Sequence, residues 1–137
     1  MFFLWVNGFG ILGGTEISLA IELDGSGNVF ISGVFSNANV DFDPGVGVAK
    51  LTYSGSTDIF IAKYDGSGNY IWAKGIGGSV ADYVYSLALD GSGNVYITGY
   101  FNGTADFDPS ATTNALTSAG GTDIFIAKYD GSGNYLW

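Results

Sequence analysis

The chain has 137 residues, 47% of them hydrophobic, and its 13 acidic and 4 basic side chains give a formal charge of −9. This acidic balance repels nucleic-acid phosphates and anionic lipids, and no apolar stretch is long enough to span a bilayer, so we expect no nucleic-acid partner and no membrane insertion. Cys and His are both absent, which excludes disulfides, thiol nucleophiles, His-based triads and the usual zinc sites.

The first predicted element is an apolar segment at the N-terminus, in which residues 3–8 align with residues 70–75. The segment has no basic leader and its apolar run stops at Asn7, so no signal peptide is visible. We interpret residues 1–8 as an isolated outer strand of the same type as the strand predicted at residues 70–74.

Four copies of the pentapeptide Asp-Gly-Ser-Gly-Asn follow, at residues 24–28, 65–69, 90–94 and 130–134. Apolar and polar residues alternate before the first and third copies, and β-rich runs follow them, which is the pattern of a hairpin. Two long segments that start at Thr57 and Thr122 differ only at Ile71 and Leu136. The repeating unit therefore spans about 65 residues and contains two hairpins.

The sequence of each repeating unit predicts four strands, named A to D in chain order. The strands of the two units are A ending at Asp24 or Asp90, B beginning at Val29 or Val95, C at residues 58–64 or 123–129, and D at residues 70–74 or 135–137. Consecutive antiparallel strands of this number form the four-stranded meander that is the blade of a β-propeller.

The predicted fold class is therefore all-β, with two four-stranded antiparallel meanders as β-propeller blades that are part of a larger or oligomeric propeller. Residues 1–8 are the isolated outer (D) strand, residues 9–75 form blade 1, and residues 76–137 form blade 2 with a truncated last strand. A closed propeller needs at least four blades. We therefore expect other blades as partners, either further repeats of a longer chain or other copies of this chain.

The stretches LALDGSGNVYITGYF and DIFIAKYDGSGNYLW resemble the SBBP-type bacterial β-propeller repeat and, more distantly, the NHL repeat. The resemblance implies a propeller of such blades, usually in secreted or cell-surface bacterial proteins, and hence an extracellular or cell-surface location. It implies no reaction, because the family has no catalytic motif. We therefore expect a non-enzymatic scaffold or interaction module with no catalytic residues and no cofactor, whose ligand could be a protein or a glycan.

Two acidic loops connect strands B and C, each with the sequence Asp-Phe-Asp-Pro. The first contains Asp41 and Asp43, and the second contains Asp106 and Asp108. In an extended loop, carboxylates two residues apart point the same way, which suits a hard cation such as calcium. The alternative is a structural loop with its Phe tucked under and its Pro closing the turn, because two carboxylates alone give calcium too few ligands.

Other functional interpretations of the repeated motifs are weaker. The Asp-Gly-Ser-Gly-Asn turn begins like an EF-hand loop but lacks the Gly and Glu that must follow, so we interpret it as a hairpin turn. Repeated carboxylate pairs share one environment, which argues against a propeller-type hydrolase or lyase with a distinct acid and nucleophile. The recurring Trp5, Trp72 and Trp137 suit a glycan site, but their regular placement fits packing between blades better.

The order of the strands also predicts where each connection lies. In a meander, the A–B and C–D turns share one end, and the B–C and D–A connections share the other. We therefore expect all four Asp-Gly-Ser-Gly-Asn turns on one face and both Asp-Phe-Asp-Pro loops on the opposite face. The longer loops are then the expected binding face.

Overall fold

The computed structural model describes residues 5–8, residue 10 and residues 14–137, and every regular element in these ranges is a β-strand. The strands are β1 (Glu16–Leu23), β2 (Val29–Phe35), β3 (Asp58–Tyr64), β4 (Tyr70–Gly78), β5 (Tyr83–Leu89), β6 (Val95–Asp106) and β7 (Ala115–Tyr129). The all-β prediction is therefore confirmed. No helix in the described ranges has the length and apolarity needed to cross a membrane.

Strands β1 to β4 pair in sequence order and are strands A to D of blade 1. The A–B turn brings Leu23 opposite Val29, and Val29 in turn lies opposite Tyr64 of β3. The C–D turn then brings Tyr64 opposite Tyr70 of β4. All neighbouring pairs are antiparallel, so the predicted four-stranded meander is confirmed for this blade.

Strands β5, β6 and β7 form strands A, B and C of blade 2. The B–C connection is shorter than predicted, because β6 and β7 continue to pair from Asn102–Thr122 out to Asp106–Ala115. At the other end of β7, Tyr135 makes an isolated bridge with Tyr129, at the position of the predicted strand D. The two blades are joined where Gly77 and Gly78 of β4 pair with Asp106 and Ala105 of β6.

The predicted isolated strand at residues 1–8 lies partly outside the described residues. Residues 5–8 have no strand assignment, yet they are attached to the C–D turn of blade 1. The indole N–H of Trp5 donates to the Gly66 carbonyl at 3.2 Å, and the Asn7 amide donates to the Gly68 carbonyl at 2.8 Å. The domain bounds given above stay predictions.

Two clusters of buried side chains hold the blades together. The interblade core joins both blades and consists of Phe30, Ile59, Ile61, Ile76, Val84, Leu87, Val95, Ile97, Phe101, Ala105, Phe107, Phe125, Ala127 and Tyr129. The front cluster covers the other side of blade 1 and consists of Phe35, Val40, Phe42, Phe60, Ala62, Tyr64 and Ala73. Of the three recurring Trp residues, Trp72 packs against the interblade core as the repeat pattern indicated, whereas Trp5 and Trp137 are exposed.

A close approach of strands A and B recurs in both blades. The register of β1 and β2 shifts between Ser18 and Ala20, and that of β5 and β6 shifts between Val84 and Ser86. A β-bulge of this kind bends the strand and leaves little space opposite it. A Cβ on Gly99 of β6 would collide with the Tyr83 carbonyl oxygen and lie 2.8 Å from the Val84 Cα, so only Gly fits there.

Candidate functional site

The four Asp-Gly-Ser-Gly-Asn turns have one geometry. In the turn that starts at Asp90, Oδ1 accepts the backbone N–H groups of Ser92 and Asn94 at 2.9 Å, and Oδ2 accepts the Asn94 amide at 2.8 Å. The Asn94 amide, together with the backbone N–H groups, lowers the pKa of Asp90 to about 2. Since Gly93 adopts a φ of 78°, the motif is a hairpin turn whose carboxylate is held by its own loop.

The turns of neighbouring hairpins lie side by side at one end of each blade. Gly66 in a C–D turn lies next to the Gly27 carbonyl in the A–B turn of blade 1, and Gly131 lies next to Gly93 in the same way in blade 2. A groove of about 580 Å³ separates the A–B turns of the two blades, and Asp24 and Asp90 are among the residues that line it. The expectation that all four turns share one end is confirmed.

Ion pairs attach strand C to the A–B turn in each blade. Lys63 lies 3.6 Å from an Asp24 oxygen, and Lys128 lies 3.7 Å from an Asp90 oxygen. Each ammonium also lies over an aromatic ring of strand B, which is Phe30 in blade 1 and Tyr96 in blade 2. The ammonium groups of Lys63 and Lys128 therefore contact groups within their own blades.

The two Asp-Phe-Asp-Pro loops fold back over the sheets. Phe42 and Phe107 are buried, as the structural-loop alternative predicted. The Tyr64 hydroxyl donates to the Phe42 carbonyl at 2.9 Å, and the Tyr129 hydroxyl donates to the Phe107 carbonyl at 2.8 Å. Because each Tyr is the last residue of strand C, these bonds draw the loop along the blade toward the turn end.

The expected separation of loops and turns onto opposite faces is wrong for the acidic loop of blade 1. In blade 1, Asp43–Gly47 and Ser67–Tyr70 of the C–D turn line one cavity of about 340 Å³. In blade 2, by contrast, Asp106 and Asp108 line a cavity of about 230 Å³ with Asp58 of blade 1, which lies at the end of β3 away from the turns. The order of the strands gives only the points where a loop is attached, and the burial of Phe42 draws the loop of blade 1 away from them.

The four predicted metal-binding carboxylates make the same backbone contacts in both loops. Asp41 Oδ1 accepts the N–H groups of Asp43 and Ala49 at 3.1 and 2.8 Å. Asp106 Oδ1 accepts those of Asp108 and Asn114 at 3.0 and 2.9 Å. The Ala49 N–H, followed by the Asp43 N–H, lowers the pKa of Asp41. The first carboxylate of each pair therefore stabilises the loop that carries it.

The second carboxylate of each pair caps the next turn. Asp43 Oδ1 accepts the Gly45 N–H at 2.8 Å, and Asp108 Oδ1 accepts the Ser110 N–H at 2.9 Å. Hydrogen bonds led by the Ser110 side chain lower the pKa of Asp108. Each pair stays within its own loop, and no group of three or more acidic side chains in the described part of the chain is arranged to hold a metal ion.

The hydroxyl bond of Tyr129 gives a test of how firmly the loop is held. Tyr129→Phe should lower the free energy of unfolding by about 1–2 kcal/mol, because the Phe107 carbonyl loses its buried donor. Tyr64→Phe should give a loss of the same size in blade 1, since Tyr64 donates to the equivalent carbonyl. Urea unfolding followed by tryptophan fluorescence measures both, and unchanged stability in both variants would contradict the structural role of these bonds.

The buried acidic pair Asp58 and Asp82 was missed by sequence reasoning. Both side chains are buried where the blades meet. Both also lie next to Gly77, because a Cβ added to Gly77 would be 2.9 Å from Asp58 Oδ1 and 3.1 Å from Asp82 Oδ2. Asp58 Oδ2 accepts the Ser54 N–H at 2.8 Å, while Oδ1 is buried without a hydrogen-bond partner. Burial and the nearby charge of Asp82 raise the pKa of Asp58 to about 6. The hydrogen bond from the Ser54 N–H acts in the opposite direction and offsets part of the effect of burial.

Asp82 links three segments of the junction. Its Oδ2 accepts the Gly78 N–H at 2.8 Å, and its Oδ1 accepts the Asn102 N–H at 3.2 Å. Burial raises the pKa of Asp82 as well. A carboxylate at the start of an apolar strand, as at Asp58, is a weak signal in the sequence, and nothing in the sequence pairs it with Asp82.

Successive antiparallel meanders that pack face to face define the chain as part of a β-propeller. A sequence model of the SBBP family, described as a beta-propeller repeat, matches residues 66–108, which run from the C–D turn of blade 1 to the Asp-Phe-Asp-Pro loop of blade 2. These residues therefore carry an SBBP repeat, and the resemblance described from the sequence is confirmed.

Two curated relatives are similar to the chain. An uncharacterized WD repeat-containing protein, L264, of Acanthamoeba polyphaga mimivirus is 30% identical over 156 residues, which cover 98% of this chain and 11% of the relative. The regulatory protein FlaEY of Caulobacter vibrioides is 27% identical over 83 residues, which cover 61% of this chain and 9% of the relative. The chain thus spans about a tenth of the length of either relative.

Proposed function

We propose that the chain is a non-enzymatic propeller module that acts as a scaffold or interaction surface in an exported or cell-surface protein and needs no cofactor. The observation that carries the proposal is the equivalence of the polar groups in the two blades. Asp41 and Asp106 accept the same pair of backbone N–H groups, and the turns at Asp24 and Asp90 repeat the same bonds. Side chains used in this way build the fold, whereas a catalytic centre needs groups with different environments.

The partners that fit this proposal are other propeller blades, either further repeats of a longer chain or other copies of this chain. Exposed apolar residues on the outer sheet surfaces, such as Ile21 and Ile124, support packing against further blades. The repeat match at residues 66–108 and the WD repeat-containing relative support a role in protein interaction. A protein or glycan ligand at a propeller loop face is consistent with the same proposal.

A calcium-dependent or carbohydrate-binding role at the acidic loops is the second candidate. The observation behind the calcium candidate is that Asp106 and Asp108 line the same cavity as Asp58, which is buried and has an oxygen without a hydrogen-bond partner, although these three carboxylates are not close enough together to form a metal site in the described residues. Hard cations prefer carboxylate oxygens of this kind. The contacts of Asp41 and Asp106 with their own loops favour the structural role instead.

Thermal unfolding with calcium or with EDTA distinguishes the two roles. For the scaffold we expect the same Tm in both conditions, because the loop carboxylates already accept backbone N–H groups. A calcium site would raise Tm with calcium concentration by mass action. That rise should be absent in the Asp43→Asn/Asp108→Asn variant, which keeps the shape of both side chains. A calcium-dependent rise that this variant abolishes would replace the scaffold proposal by the calcium role.

A further inference from the structure

The packing of blade 1 on blade 2 is a template for how such blades meet. Blade 1 contributes Ile59 and Ile61 of β3 to the interblade core, and both are 0% exposed. Blade 2 contributes Leu87 of β5, which is 5% exposed. The indole N–H of Trp72 crosses the junction and donates to the Gly131 carbonyl at 3.2 Å.

The outer surface of blade 2 repeats the surface that blade 1 buries. Because the segments that start at Thr57 and Thr122 have nearly the same sequence, Ile124 and Ile126 of β7 occupy the places of Ile59 and Ile61. Yet Ile124 is 86% exposed and Ile126 is 64% exposed. We name Tyr96, Ile124 and Ile126 the back face, and it lacks the partner that the equivalent residues Phe30, Ile59 and Ile61 have in blade 1.

The outer surface of blade 1 repeats the surface that blade 2 buries. The strand pairs Leu23–Val29 and Leu89–Val95 align the two A strands, so Ile21 takes the place of Leu87. Ile21 is 65% exposed, against 5% for Leu87. We name Ile21, Leu23 and Ile31 the front face, and it extends the front cluster of blade 1.

A hydrogen bond at the front face also matches one in the junction between blade 1 and blade 2. Trp5 donates to the Gly66 carbonyl at 3.2 Å, as Trp72 donates to Gly131. Residues 5–8 therefore lie on blade 1 as the D strand of a preceding blade would. Trp137 aligns with Trp5 and Trp72 in the sequence. At a junction between two copies, the site beside the Gly66 carbonyl can therefore hold either Trp137 of one copy or Trp5 of the next, but not both.

We propose that the back face of one chain docks on the front face of a second copy, with the residue contacts of the blade 1–blade 2 junction. This proposal rests on the proposed function and names the partner of the module. The contact is head to tail, since two different surfaces meet, and such contacts close into a ring when the rotation allows. Propellers of four to eight blades correspond to about two to four copies of a two-blade chain.

Light scattering coupled to size exclusion tests the proposal with two single variants. Wild type should have a mass of about two to four times the 14.3 kDa of one chain. Ile126→Lys on the back face and Ile21→Lys on the front face should each give monomers at the concentration where wild type is assembled. An equimolar mixture of the two variants should give a 1:1 dimer, because one intact front face and one intact back face remain and no third copy can add.

Val46→Lys is the matched control. Val46 is fully exposed, and Ala111, the residue at its place in blade 2, is exposed even though its loop lies beside blade 1. This variant should keep the wild-type mass. High salt should tighten the assembly, because it screens the repulsion between copies that each carry a charge of −9.

Two results would overturn the head-to-tail contact. One is a monomeric wild type, which needs no variant to interpret and leaves the interaction module open to other partners. The other is a mixture of Ile126→Lys and Ile21→Lys that stays monomeric while each variant keeps the wild-type circular dichroism spectrum. Turnover of a substrate by purified protein would instead contradict the proposed function, whatever the mass of the chain.

Discussion

Replacing Asp58 by Asn is expected to raise the free energy of unfolding by about 2–3 kcal/mol at pH 8, and by much less at pH 4. In the wild type, the buried carboxylate of Asp58 must ionise at pH 8 next to Asp82, without a hydrogen bond to its Oδ1. An Asn in this place carries no charge, so it avoids the cost of ionising a buried carboxyl group. The substitution therefore removes the cost of burying this charge and its repulsion by Asp82.

The direction of the pH dependence follows from the pKa of Asp58. The folded-state pKa of about 6 lies above the ordinary value of 3.8, so the folded protein binds the proton more tightly than the unfolded chain. This contribution to stability is fully present below about pH 4 and is lost as the pH rises through about 6. The buried Asp82 acts in the same direction, because its pKa is also raised.

The measurement is urea unfolding of wild type and variant between about pH 3.5 and about pH 8, which spans the ordinary pKa of 3.8 and the raised pKa of about 6. Asp123→Asn is the matched control, because Asp123 accepts the Ala119 N–H at 2.8 Å just as Asp58 accepts that of Ser54, but it is not buried in a junction. The control should leave the pH dependence unchanged. Equal pH dependence in wild type and Asp58→Asn would contradict the role of the acidic pair.

The second large effect is expected for Gly99→Ala, which should lower the free energy of unfolding by about 2–4 kcal/mol. The new Cβ would meet the backbone of Tyr83 and Val84, and backbone in a paired strand cannot turn aside as a side chain can. Strands β5 and β6 would have to separate at the bulge. Since β5 contributes Val84 and Leu87 to the interblade core, the junction between the blades should loosen as well.

Gly121→Ala is the control for the glycine substitution. Gly121 also lies in a strand, β7, but a Cβ added there would have no neighbour within 4 Å. Thermal unfolding should show a clear loss of Tm for Gly99→Ala and a small change for Gly121→Ala. If both variants unfold at the wild-type temperature, the strands at the bulge are farther apart than the structure places them.

Much of the fold could be predicted from the sequence, because the information is local and repeated. The turn at Asp90 is specified by five consecutive residues whose side chains bond to one another. The hairpins follow from the alternation on both sides of such turns, and their order gives the blades. Even the burial of Phe42 and Phe107 followed from two apolar residues placed between acidic ones.

The rest depends on contacts between segments that are distant in the sequence. The loops fold back because Tyr64 and Tyr129 bond to backbone carbonyls, and nothing in the sequence marks a carbonyl as a partner. Asp58 and Asp82 come together only when the two blades meet, since Asp58 begins β3 and Asp82 lies in the connection between β4 and β5. The longer β6 and β7 likewise reflect pairing beyond the predicted hairpin ends.

The identity of β3 with the last seven residues of β7 has a consequence for folding kinetics. Residues 58–64 and 123–129 have the same sequence of seven residues. The strand β2 therefore has two equally suitable pairing partners until the loop between β2 and β3 closes. The correct partner β3 is favoured because a shorter loop costs less closure entropy, though this cost grows only slowly with loop length. We therefore expect a slow refolding phase from molecules in which β7 pairs first with β2 and must dissociate before the two blades can assemble.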